Sequence, residues 1–185
     1  MFRPWLNQPA QNVRASASVA VVLAGALALS ACSNGGGKEE KKYTVPSAQC
    51  GISLDPQLLG AFLPGGDSIT VKPSSPNGGT KRCDLIVDGK VSVRQIQTWW
   101  SNRESVSTVA AAYDQIDDGQ VTDDDRYLYT GTGAVGKTSC KSPDYPDGDL
   151  YAVVQVFTPD QSDSGAMKEL ITAYTNALEG SSECR

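Results

Sequence analysis

Apolar positions along this chain recur with two periods, separated by strong turn signals. Asp55-Pro56 opens the first helical pattern, with Asp as cap and Pro at the first helical position. Leu58, Leu59, Phe62 and Leu63 give that helix one apolar face, and Pro64-Gly65-Gly66 ends it. Ser68 to Lys72 reads as a strand and Pro73 to Gly79 as a loop. Arg82 to Val87 and Val91 to Trp100 read as strands joined by Asp88-Gly89, a hairpin signal because both residues tolerate positive φ. Ser101-Asn102-Arg103-Glu104 fits a capping box. Val106, Val109, Ala110, Tyr113 and Ile116 follow at helical spacing.

The second half has the same order. Cys140 falls near a strand end, Asp147-Gly148 makes a turn, and Leu150 to Phe157 is a strand. Ser162 or Ser164 can cap a helix that carries Met167, Leu170, Ile171, Tyr174 and Leu178 on one face, and Gly180 stops it. Cysteine, Asp-Gly, strand and helix thus occur twice, about 57 to 60 residues apart. The residue identities barely match, so the order fits an internal duplication or a coincidence equally well. Either way the pattern predicts an α+β domain: a single antiparallel sheet packed by two or three helices.

The first forty residues follow a different logic. Arg3 and Arg14 precede an unbroken run of small and apolar residues, Ala15 to Leu29, which leads to Leu29-Ser30-Ala31-Cys32. The run is fifteen residues long, whereas a spanning helix needs about 20. The segment resembles the bacterial lipobox, in which a thiol accepts the lipid. The expected layout is a lipoprotein signal peptide over 1–31, a lipidated Cys32 with a tether to residue 42, and an extracytoplasmic α+β domain over 43–185. Acyl chains bury methylenes at about 0.8 kcal/mol each, so two or more anchor stably to the outer face of the cell membrane. Ser33 to Lys42 (SNGGGKEEKK) has the composition of a flexible linker. The absence of a twin-arginine pair implies export in the unfolded state and disfavours a cofactor loaded beforehand.

Charge and composition narrow the functions. The precursor carries −5; removing 1–31 takes away two positive charges, Arg3 and Arg14, and leaves −7. An acidic surface argues against nucleic acid as a partner. There is no histidine, which excludes Ser-His-Asp and Cys-His catalytic pairs and His-ligated metals. Beyond Cys32 four cysteines remain, an even number that reads as two disulfides in an oxidising compartment. Three pairings are open. Cys50–Cys83 with Cys140–Cys184 is favoured, because each bridge then pins a helix end to the sheet. Cys50–Cys184 with Cys83–Cys140 joins the domain ends instead, and the crossed pairing suits two local units least.

Several of these features occur together elsewhere. The lipobox, the short tether, Tyr43-Thr44-Val45-Pro46 leading into Cys50-Gly51, the Cys83 strand, the Trp99-Trp100 strand end and the late cysteines resemble small actinobacterial lipoproteins of unknown function. Some of these are similar to PsbP-like α/β domains. The resemblance implies an accessory or binding role and brings no catalytic signature with it.

Three motifs carry candidate chemistry. Gly131-Thr132-Gly133-Ala134-Val135-Gly136-Lys137-Thr138 matches the P-loop pattern, which cradles phosphates between a strand and a helix N-terminus. Ser139-Cys140-Lys141-Ser142-Pro143 makes a poor helix, so a glycine-rich turn entering a strand is expected and nucleotide is disfavoured. Asp114, Asp118 and Asp125 are weak calcium candidates in an acidic stretch; Ile116 falls where an oxygen ligand is needed. Trp99 and Trp100 project to opposite faces of a strand, and Tyr127 and Tyr129 share one face, which makes these four a candidate binding surface.

The function expected is a membrane-anchored, non-catalytic module that binds a protein partner, an envelope component or a small ligand, without a cofactor. The competing class is a cell-envelope hydrolase using carboxylates, or Ser with Lys. A pocket of carboxylates with raised pKa would favour the hydrolase.

Overall fold

Nearly every position of the segment from Gly148 to Val156 is apolar or uncharged, and such a strand must be covered on both faces. In the computed structural model, which describes residues 40–101, 103–116 and 118–184, this segment is the middle of a seven-stranded antiparallel sheet. The chain runs through β1 (Ala48–Gln49), β2 (Ile52–Ser53), α1 (Pro56–Gly60), β3 (Ile69–Asn77), β4 (Thr80–Val87) and β5 (Lys90–Ser101). Then come α2 (Val106–Ala110), β6 (Gln120–Val121), β7 (Tyr127–Tyr129), β8 (Gly133–Lys137), β9 (Gly148–Val156) and α3 (Ser164–Glu179), with a 3-10 turn at Ser182–Cys184. The order across the sheet is β3-β4-β5-β9-β8-β7-β6. The described residues lie within one compact unit, Gly37–Arg185. Cys32, the expected lipidation site, and most of the expected tether lie outside the described residues.

Strand alternation distributes β9 between two cores. Ala152, Val154 and Val156 face α3 and α1, with Leu85, Val87 and Val93 beside them. Tyr151 and Val153 face α2, with Ile96, Leu128 and Val135. The recurring strand-helix order therefore places its two helices on opposite faces. On α3, Met167, Leu170, Ile171, Tyr174 and Leu178 are buried, each stabilising the fold by about 1.5–3 kcal/mol.

Both disulfides form, as Cys50–Cys83 and Cys140–Cys184, with Cα atoms 5.9 and 4.8 Å apart. Several expectations need correction. The sheet is not single: β1 and β2 form a separate two-stranded sheet around Cys50 and Gly51, both at positive φ. Pro73 to Gly79 is not wholly a loop, because β3 continues to Asn77; as an edge strand it tolerates Pro73 and Pro76, whose missing N–H groups cost no ladder bond. The helix after β5 is capped by Ser105, whose Oγ accepts from the Thr108 N–H at 3.1 Å, and it ends at Ala110. Tyr113 and Ile116 therefore lie beyond it, although Ile116 is buried in the same core. Asp163 caps α3, accepting from the Ala166 N–H at 2.9 Å, in place of Ser162 or Ser164.

Two close approaches fix where elements meet. A Cβ on Gly136 would sit 2.1 Å from Thr175 Oγ1 on α3 and 3.2 Å from both Ile171 and Tyr127. Gly136→Ala is expected to cost about 1–3 kcal/mol through forced displacement of α3. A urea midpoint unchanged from wild type would refute this. A Cβ on Gly66 would lie 2.5 Å from the Asp88 carboxylate. Gly66 also pairs with the start of the domain: Lys42 N–H donates to its carbonyl at 2.9 Å and its own N–H donates to the Glu40 carbonyl at 3.1 Å. Residues 40–42 thus join the domain at the β4–β5 turn.

Candidate functional site

A cleft opens at the C-terminal end of β5. Lys81↔Gln97 and Trp99↔Leu150 are register partners, so all four residues lie on the α3 face, just past the helix end. The loop that precedes β9 supplies the opposite wall. Tyr145 N–H donates to the Ser142 carbonyl at 3.1 Å and Gly148 N–H to the Tyr145 carbonyl at 3.0 Å, which folds the loop over β5. The Tyr145 ring then stacks on Trp99, with centroids 5.0 Å apart and planes 9° from parallel. Its hydroxyl donates to the Gly78 carbonyl, closing the corner at the β3–β4 turn.

The result is a cleft of about 260 Å³ lined by Gln97, Trp99, Tyr145, Lys81, Asp144 and Glu183 among others. Glu183 pairs with Lys81 across it. Cys140–Cys184 holds the Ser182–Cys184 turn against the start of the Ser142–Tyr145 loop, so one covalent bond ties two walls together. Gln97 is 7% exposed, and its Oε1 has no hydrogen-bond partner. Burial pushes the Tyr174 hydroxyl pKa up, and a hydrogen bond with the Gln97 side chain works against that rise. The amide is therefore engaged on one side only. A buried acceptor without a donor costs about 1–3 kcal/mol; this oxygen is covered from solvent, so a ligand's donor reaches it once the Gln97 side chain turns toward the cleft.

The four candidate aromatics are not brought together. Trp99 lines the cleft. Trp100 is half-buried on the opposite face, packed against the α2 core. Tyr127 is buried under α3 and Tyr129 lies next to it, beside a shallow depression with Val121, Asp123, Asp124 and Lys168. Lys168 Nζ sits 5.6 Å from the Tyr129 ring centroid. Among the described residues no three acidic or cysteine side chains gather into a metal-holding group, so Asp114, Asp118 and Asp125 are not drawn together as one.

Gly131 to Thr138 enters β8 without a following helix. Its glycines answer to packing: a Cβ on Gly133 would meet Ile116 at 2.7 Å, as that on Gly136 meets Thr175. Lys137 Nζ binds Asp149 Oδ2 at 2.8 Å, and Lys141 Nζ binds Oδ1 at 2.6 Å. Burial raises the Asp149 pKa, but the hydrogen bonds and charges of the two lysines more than offset it and leave it lowered. Glu179 is likewise lowered in spite of burial, by the Ser139 N–H and by Arg126, which donates to both its oxygens at 2.9 and 3.0 Å. Sequence reasoning missed both of these clusters and also Gln97 and Tyr145. For Lys137, Asp149 and Gln97 the available signal was a charged or amide residue inside an apolar strand; Arg126, Lys141, Tyr145 and Glu179 lie outside the strands and gave none.

Comparison with protein-family models, curated proteins and solved structures finds no match for this chain. Among the described residues no helix is long and apolar enough to cross a membrane.

Proposed function

We propose that this chain is a lipid-anchored extracytoplasmic binding module, a single α+β domain over 43–185 that holds a small polar or sugar-like envelope ligand in the Trp99 cleft. The observation that carries this reading is Gln97: a buried carboxamide with an unpartnered oxygen, in a cleft wall beside stacked aromatic rings. Such sites combine an apolar platform with a few placed polar groups. The two disulfides suit an oxidising compartment outside the cytoplasm. Among the described residues, the carboxylates shifted from the ordinary carboxylate range are Asp88, Asp124, Asp149 and Glu179, and all four are lowered. None of them lines the cleft. That pattern favours binding over general-acid chemistry, which needs a raised carboxyl.

The test is a titration of monosaccharides, amino sugars and short peptidoglycan fragments against the intrinsic tryptophan fluorescence. A saturable change is expected, and it should vanish in Trp99→Ala. Gln97→Leu should weaken binding by roughly tenfold or more, since the ligand's donor then goes unpaired. A flat response to the whole panel, or equal affinity in Gln97→Leu, would overturn the assignment.

A further inference from the structure

The tether joins the domain beside a second depression of different character. Pro64, Val87, Val91, Phe157 and Pro159 line a groove of about 310 Å³ at the β4–β5 turn. Phe157 is 37% exposed; Val121, at 41%, is the other exposed large hydrophobic among the described residues. Val121 has Asp123 and Asp124 beside it, whereas Phe157 has the Arg94 guanidinium 5.5 Å from its ring centroid. Lys90 lines the groove and makes no ion pair among the described residues. Asp88 also lines it, but its carboxylate is engaged by the Asp67 and Ser68 N–H groups and the Ser68 hydroxyl. Asp88 and Gly66 also belong to the site where Glu40 and Lys42 dock, so groove and tether share one end of the molecule.

We infer that the Phe157 groove is the bilayer-contact face of the anchored protein. The inference rests on the acylation of Cys32. Glu40 follows Cys32 by eight positions, a reach of at most about 26–29 Å when fully extended and about 14–17 Å on average for a flexible linker. The end of the domain at Gly66 is therefore confined close to the headgroups. Exposed aromatic and aliphatic groups rimmed by an unpaired lysine suit that boundary: the ring and Pro159 enter the acyl margin, and Lys90 reaches an anionic phosphate. The Trp99 cleft lies at the other end of β5, about 27 Å from Val91 at strand rise. Lipid contact at Phe157 thus turns the cleft away from the membrane.

The experiment uses the full acylated protein in vesicles of phosphatidylglycerol and phosphatidylethanolamine brominated near the headgroup. Phe157→Trp and, as a second probe, Pro159→Trp are compared with Pro143→Trp, an exposed position near the cleft, after subtraction of the parent emission. The expected result is loss of intensity and a blue shift at 157 and 159, with neither at 143. Equal quenching at all three positions, or none at 157 and 159 in protein that is acylated and vesicle-bound, overturns the groove assignment and leaves the anchoring intact. Protein found without acyl groups on Cys32 overturns both. Protection of position 157 in whole cells without bromine quenching in vesicles overturns the lipid assignment in favour of a protein partner.

Discussion

Replacing Cys140 and Cys184 together by serine is expected to lower the unfolding free energy by about 4 kcal/mol. The bridge closes a 44-residue span, and the entropy restored to the unfolded chain on cutting such a loop has this magnitude. The effect on the cleft should be as diagnostic as the effect on stability. Without the bridge, Ser182 and Glu183 keep only the Lys81 ion pair and local hydrogen bonds, and an exposed pair of this kind contributes about 1 kcal/mol or less. Trp99 emission and ligand affinity should both change. Cys50→Ser with Cys83→Ser should cost about as much stability, by its 33-residue span, yet leave Trp99 emission unaltered. Urea denaturation of the two double variants, read by tryptophan fluorescence and by circular dichroism, provides the check. A loss below 1 kcal/mol for either, or identical Trp99 spectra for both, would contradict the account of that wall.

Asp149→Ala should be the costliest single substitution of a charge, at about 3 kcal/mol. The Asp149 side chain is 4% exposed and is the counterion of both Lys137 and Lys141. Removing the central member of a buried ion cluster strands what remains. Lys137 is 32% exposed and Lys141 67%, so both retain some water, which places the cost at the lower end of the usual range. Lys141→Ala should cost under about 1 kcal/mol, because that pair is largely solvated. The pH dependence follows from the direction of the shifts. Asp149 and Glu179 are lowered in the fold, so their contribution is present above the ordinary carboxylate pKa of about 4 and is lost as pH falls through the folded values. Wild type should therefore lose stability on acidification below about pH 4, and Asp149→Ala should lose less over the same interval. Equal acid sensitivity, measured by denaturation at several pH values, would remove Asp149 from this role.

Where the sequence was legible, local chemistry was decisive. Asp88-Gly89 announces the β4–β5 turn because both residues adopt positive φ there, and Asp55-Pro56 announces α1 because the cap and the fixed φ are local. The disulfide pairing followed from the order of turns and helices. Tertiary circumstances hid the rest. Ser101 to Glu104 has the letters of a capping box, but β5 runs on through Ser101 beside Gly148, and Ser105 takes the cap. Pro73 looked like a strand breaker, and only its edge position makes it harmless. The candidate site depended on which strand ends meet. Nothing local to Tyr145 says that it will lie on Trp99, since that contact spans from β5 to the loop before β9.

The last strand in the sequence is the middle strand of the sheet, and this sets the order of assembly. A chain that emerges N-terminus first delivers β3–β5 and β6–β8 before the strand both must join. Val156 emerges nineteen positions after Lys137, and a hairpin closes in about 1–10 μs once its two strands are free. Two half-sheets therefore wait, each with unpaired backbone N–H and C=O groups along β5 or β8, and a bare edge is a template for any strand that passes. A termination codon before residue 148 makes that interval permanent. The product is then no shortened version of the domain: it is two sticky half-sheets, a burden for proteases and chaperones out of proportion to the one-fifth of the chain that is missing.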